Sequence, residues 1–159
     1  MSTNIKQLRK RAEKLAEEKH FGQKDLNGVD YINHVRYVAE MSENVAKTIG
    51  LSEELSDKCY IVGMLHDILE DTDVTVKDIE NDGYGSDIVF SLRQVTRKDE
   101  ESYGDYIKRA ATNQISRIVK YTDLMHNLDV TRFDKLTEED FSRINKYLKW
   151  FKFLQEKLI

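Results

Sequence analysis

Apolar residues along this chain return every three or four positions, rarely every second one. Ile5, Leu8, Ala12, Leu15 and Ala16 line one face of a first helix, expected to end near Phe21-Gly22. DLNGVD, residues 25–30, has turn chemistry. Val35, Val38, Ala39, Val45, Ala46 and Ile49 mark a second helix, stopped by Gly50. Ser52 can cap a third, expected to run to about Glu70. Thr75 with Asp78 has the spacing of a capping box and opens a short fourth. NDGYGSD, residues 81–87, is a loop before a helical segment around Ile88 to Val95. Ser102 with Asp105 resembles another capping box, opening a helix that ends near Asn113. Ile115, Ile118, Val119 and Leu128 belong to the next long helix. Thr137 with Asp140 caps a last one, whose aromatic stripe (Phe141, Tyr147, Trp150, Phe151, Phe153) is core or a self-association face. No stretch alternates as a strand does, so the expected fold is all-α, one compact domain over residues 1–159.

Composition agrees. The 159 residues include no proline and seven glycines, so little interrupts the helices. With 40% hydrophobic and 34% charged residues, the chain reads as a globular core under a charged surface. It has no apolar run of bilayer length, and MSTNIKQLRKRAEKLAEEK lacks the apolar stretch of a secretory signal. The single cysteine, Cys59, rules out an internal disulfide and suits a reducing compartment, so the expected location is cytoplasmic. A net charge of −4 argues against nucleic acid as a partner. It leaves room for a small phosphorylated nucleotide held by a few local Lys or Arg side chains.

MLHDILEDT, residues 64–72, changes the picture. On a continuous helix 66 and 70 lie one turn apart, as do 67 and 71, so His66, Asp67, Glu70 and Asp71 share a stripe. A charged stripe is ordinarily just solvated. Here, however, Cys59, Tyr60 and Gly63 project onto the same stripe upstream, while Ile61, Val62, Leu65, Ile68 and Leu69 fill the opposite side. From Cys59 to Leu65 the helix is nearly apolar all round and is expected to be buried. Carboxylates crowded at the end of a buried helix, beside its negative dipole, repel one another and lose hydration unless a cation neutralises them. A metal ion resolves that conflict.

One histidine and one carboxylate are too few ligands, so other helices must contribute. His34, in DYINHVRYVA, is polar among apolar neighbours; alone it would be an ordinary core histidine. VKYTDLMHNLDVTR carries Asp123 and Asn127, four apart on one face of an otherwise apolar helix. His126 lies off that face and is expected not to ligate. His20 ends the first helix, where a histidine suits the dipole. Arg97, in VTRKDEESYGDY, either lines a phosphate pocket or is part of a solvated basic pair beside the acidic DEE.

Taken in order, His34, His66-Asp67 and Asp123 resemble the metal-binding signature of the HD-domain phosphohydrolase superfamily. HDILEDT and TDLMHNLD narrow the resemblance to the hydrolase domain of RelA/SpoT-type alarmone enzymes, in a free-standing small form similar to metazoan SpoT homologues. It runs from about Lys19 through Arg132. It implies a helical domain in which His34, His66, Asp67 and Asp123 hold one divalent ion, usually Mn2+ (manganese), with positions open for water and a phosphate oxygen. It implies hydrolytic removal of pyrophosphate from the 3′ position of guanosine tetra- or pentaphosphate. Glu70 and Asp71 would position and deprotonate the attacking water, and Asn127 would hydrogen-bond the ribose or a phosphate. The chain is too short for the family's synthetase domain, so a hydrolase alone is expected.

The family shows Arg-Lys before a Gly-x-Pro-Tyr turn and His-Pro after it. Here QKDLNGVDYINHV keeps Lys24, Gly28 and Tyr31, but places Gln23 at the arginine and Asp30 and Val35 at the prolines. Glutamine can hydrogen-bond a base without offering a cationic plane, so Gln23 implies weaker discrimination of guanine, while Lys24 keeps a charge for phosphate. Two alternatives stand beside this expectation. One is the same metal chemistry on another nucleotide, which Gln23 favours. The other is a non-catalytic nucleotide-binding module, which would gain nothing from the Glu70-Asp71 pair.

Overall fold

A computed structural model describes residues 4–159 of the chain. Among them every regular element is helical: α1 (Ile5–Lys19), α2 (Ile32–Thr48), α3 (Glu53–Leu65), α4 (Ile68–Asp71), α5 (Val76–Asn81), α6 (Ser86–Gln94), α7 (Tyr103–Ala111), α8 (Gln114–Asn127) and α9 (Glu138–Glu156), with a 3-10 turn at Val130–Arg132. An isolated antiparallel bridge between Lys24 and Asp30 closes the DLNGVD turn. No helix among the described residues is long and apolar enough to cross a membrane.

The packing is organised around α3, which has almost no solvated face: from Ser56 to Leu65 every residue except Lys58 is buried. α1, α2, α6 and α8 lie against it. α2 comes closest, because a Cβ on Gly63 would fall 2.6 Å from Ala39 Cα, an approach that only glycine permits. α2 then stops in a Schellman motif: Gly50, at φ +86°, donates to Lys47 O and Leu51 donates to Ala46 O. A buried hydroxyl pair, Ser42 Oγ and Thr122 Oγ1 at 2.7 Å, ties α2 to α8. The aromatic stripe of α9 is mostly core. Tyr121 stacks on Phe151 with ring centroids 4.7 Å apart, and Trp150, Phe153 and Tyr147 join Tyr106, Ile107 and Leu154 in a second apolar cluster. Phe141, at the start of α9, stays half exposed.

The capping boxes of Thr75/Asp78 and Thr137/Asp140 form in both directions, whereas Ser102 makes only the first bond, accepting from Asp105 N at 3.1 Å. One expectation is corrected. The third helix does not continue to Glu70 but ends at Leu65, and the chain passes through His66 and Asp67 (φ −101°, ψ 0°) before α4 begins. The cause lies in the His66 side chain. Its Nδ1 sits 2.7 Å from Gly63 O, the carbonyl that a continuous helix would offer to the Asp67 N–H.

Candidate active site

The break after α3 turns His66 and Asp67 toward the first turn of α2 and the middle of α8. His34 Nε2 lies 3.1 Å from Asp123 Oδ1 and 3.8 Å from Asp67 Oδ2; His66 Nε2 lies 2.9 Å from Asp67 Oδ2 and 3.7 Å from Asp123 Oδ1. Around an ion held at about 2.1 Å, neighbouring ligands sit roughly 3.0–3.5 Å apart, and the four separations scatter on both sides of that range. The offered atoms of His34, His66 and Asp67 all fall within 4.8 Å of one another, a set that can hold a metal ion. His66 Nε2 is buried and makes no well-aligned hydrogen bond, although Asp67 Oδ2 lies close to it. The four residues named from the sequence as ligands are thus brought together from three helical segments.

Each of these side chains is held from behind. His66 donates from Nδ1 to Gly63 O, and His34 Nδ1 meets His126 Nδ1 at 2.7 Å. The Tyr31 hydroxyl donates to Asp67 Oδ2. Asp123 accepts from Asn127 Nδ2 at 3.0 Å and from Lys120 Nζ at 2.6 Å. Burial works against every charge here, yet the neighbours prevail. His66 and His34 draw Asp67 down to about 2, Lys120 and the histidines hold Asp123 well below the carboxylate range, and Asp67 with Asp123 holds His66 well up. Without an ion the cluster neutralises itself with protons; a divalent cation replaces them.

Glu70 and Asp71 are exposed, and Glu70 faces a separate surface depression lined by Thr96 to Ser102. The protein around them desolvates both carboxyl groups and pushes them up, and the negative charge of Asp67 adds to the rise. Glu70 accepts from the Arg97 backbone N–H at 2.5 Å. The Arg97 guanidinium itself turns to Glu101 O, so Arg97 meets the site through its main chain. Beside the ligands opens a cleft of about 320 Å³ lined by Lys24, Asp25, Leu26, Asn27, Tyr31, His34, Asn127, Arg132, Phe133, Arg143 and Tyr147. Lys24 and Asn127 therefore lie where the sequence analysis put them. Gln23 does not line the cleft; its Oε1 lies 2.7 Å from His20 Nδ1. His20 does cap α1, but it is only 2% exposed and burial lowers its pKa, so it is neutral and gives the dipole no charge, a correction to the role expected of it.

The sequence analysis missed Lys120, Arg132, Arg143, Lys146 and Tyr147. Lys146 is pushed down by burial and by Arg97, Arg143 and Lys120 around it, the signature of cations crowded together. The signal was present in α9, where Arg143 lies one turn before Tyr147 on the face that carries the aromatic stripe. For Lys120 the signal was its spacing of three from Asp123.

The chain matches a known family model, described as HD domain, over residues 31–150. The chain belongs to the HD domain family. This HD protein is 26% identical over 141 residues to a protein of Drosophila melanogaster named guanosine-3′,5′-bis(diphosphate) 3′-pyrophosphohydrolase MESH1, covering 85% of this chain and 74% of the relative. It is 29% identical over 145 residues to the protein of the same name from Danio rerio, covering 85% and 75%. It is also 26% identical over 149 residues to a GTP pyrophosphokinase of Streptomyces coelicolor; there the match takes 87% of this chain but spans only 16% of that longer relative. Among solved structures it resembles a metazoan ortholog of SpoT, described as hydrolysing ppGpp and acting in starvation responses, with a TM-score of 0.70, 25% identity, and 95% and 85% of the two chains covered.

Proposed function

We propose that this HD protein, with residues 1–159 acting as one hydrolase unit, removes pyrophosphate from the 3′ position of guanosine tetra- or pentaphosphate. One observation carries the proposal: a buried His/Asp cluster opens on a cleft whose walls carry Lys24, Arg132 and Arg143. Such a substrate brings two diphosphates, and crowded cations are relieved by phosphate. His34, His66, Asp67 and Asp123 are the ligands. A divalent ion held there, manganese in this proposal, supplies Lewis acidity to a phosphoryl oxygen and acidifies water. Glu70 and Asp71, their carboxyl groups raised by desolvation and by the charge of Asp67, take the proton from the attacking water. Water adds to phosphorus, the bond from phosphorus to the 3′ oxygen breaks, and that oxygen leaves as a hydroxyl. Asn127 orients Asp123 and faces the cleft, within reach of ribose. A nucleotide substrate and a free, buried Cys59 suit a reducing cytoplasm.

A second reading keeps the chemistry and changes the nucleotide. It is favoured by Gln23, whose side chain is engaged with His20 and offers no plane to guanine. The deciding experiment loads the purified protein with Mn2+ and follows phosphate and pyrophosphate release from guanosine tetraphosphate and from a nucleotide panel. Pyrophosphate from guanosine tetraphosphate is the expected result. An intact alarmone with another nucleotide cleaved would replace the first proposal by the second.

A further inference from the structure

His34 and His66 present their Nε2 atoms to the same centre but are held differently behind it. Behind His66 is a main-chain carbonyl, Gly63 O, which can only accept. Behind His34 is the side chain of His126, with the two Nδ1 atoms 2.7 Å apart. Two imidazole nitrogens at that distance need one proton between them, since two protons clash and two lone pairs repel. If Nε2 of His34 is to bind an ion, its lone pair must be free and its ring proton must sit on Nδ1. Nδ1 of His126 is then the bare acceptor, and the proton of His126 sits on its Nε2.

We propose that His126 is a positioning residue for the metal centre, accepting the Nδ1–H of His34 and thereby holding His34 in the tautomer and ring orientation that ligate. The proposal rests on His34 being a ligand. His126 is itself well fixed. Its ring stacks on Tyr37 at 4.1 Å between centroids and 21° between planes, and lies edge to edge with His34, the planes 23° apart and the centroids 4.9 Å apart. Its carbonyl accepts from Arg132 Nη1 at 2.9 Å. Partners of this kind are generally worth a ten- to hundredfold change in metal affinity.

The test compares Mn2+ dissociation constants, read from the free-ion resonance signal, for wild type, His34→Ala, His126→Phe and His126→Asn. Phenylalanine keeps a ring on Tyr37 but removes the acceptor, and should weaken Mn2+ about ten- to hundredfold. Asparagine places Oδ1 near the position of Nδ1 and should recover most of that loss. A merely structural His126 would lower the melting temperature of metal-free His126→Phe and leave its dissociation constant at the wild-type value, which overturns the proposal. So would an asparagine variant as weak as the phenylalanine one. His34→Ala binding as tightly as wild type would instead overturn the ligand assignment beneath it, and the proposal with it. Should His126→Phe not fold, long-range proton–nitrogen spectra of the wild type loaded with diamagnetic Zn2+ decide: His126 protonated on Nε2 is expected, and a proton on its Nδ1 overturns the proposal.

Discussion

The side chains of His34, His66 and Asp123 are 3–7% exposed, and each is anchored by a group that is itself fixed. On the cleft side, Lys24 is 55% and Arg143 30% exposed, and each holds an acid from its own neighbourhood, Asp30 and Asp140. Arg132 likewise holds Asp25 at 3.1 Å. The contrast separates two ways of preparing a site. The inner groups are dehydrated at folding and must be placed in advance, because a lone buried charge is costly. The cleft cations keep provisional partners. An exposed ion pair contributes only about 0.2–1 kcal/mol, so substrate phosphate, bonding at about 1.5–3 kcal/mol, can displace the acid with gain left over.

The contrast breaks if substitutions on the two sides behave alike. Asp67→Ala should have the largest effect, abolishing both Mn2+ binding and turnover, because it removes a ligand and leaves His66 without its counter-charge; metal analysis and a pyrophosphate assay check it. Glu70→Gln should keep the ion and lower kcat about a hundred- to ten-thousandfold, since it removes a proton acceptor and no ligand. Retained wild-type turnover would place the base elsewhere. Arg143→Met should raise KM about tenfold with kcat nearly unchanged, as expected when a group binds ground and transition states equally. A fall in kcat of the same size would show that the cleft cations act on the chemistry.

A smaller effect sharpens the boundary between the two regions. The segment Thr96–Glu101 carries the Arg97 N–H that holds Glu70, and Arg109 clamps it with a fork onto Glu101 at 2.8 and 2.9 Å. That hydrogen bond draws Glu101 down to about 2. A carboxylate lowered on folding stabilises above its ordinary titration range, and the contribution fades as pH falls toward 2. Wild type should therefore lose stability between about pH 4.5 and pH 2 more steeply than Glu101→Gln, as read by urea denaturation at several pH values.

The difference between the two regions also explains what was legible in the sequence. The helices could be found because they obey local spacing, and His66-Asp67 and Asp123 stood out because one ends a buried run and the other continues one. That they form one set with His34 came from the resemblance to the HD pattern. The break after Leu65 could not be found, since it arises from a side chain, His66, taking a main-chain acceptor. The α9 contribution to the cleft was hidden for another reason. Arg143 and Tyr147 line the cleft because α9 packs on α8, where Phe151 stacks on Tyr121, a contact across 30 positions that no periodicity encodes. Gln23 was placed by analogy with an arginine that faces the base, but a shorter side chain found His20 instead.

Gly63 sets how closely α2 approaches α3. α2 and α3 carry the two imidazoles, and at this residue their backbones meet with no side chain between them, a Cβ falling 2.6 Å from Ala39 Cα. Main chain against main chain is a stiffer stop than packed side chains, so the reach between His34 and His66 follows from helix spacing and not from rotamers. A methyl group at 63 would wedge the helices apart and lengthen that reach, so Gly63→Ala should bind Mn2+ more weakly than wild type, a loss that Mn2+ titration would reveal.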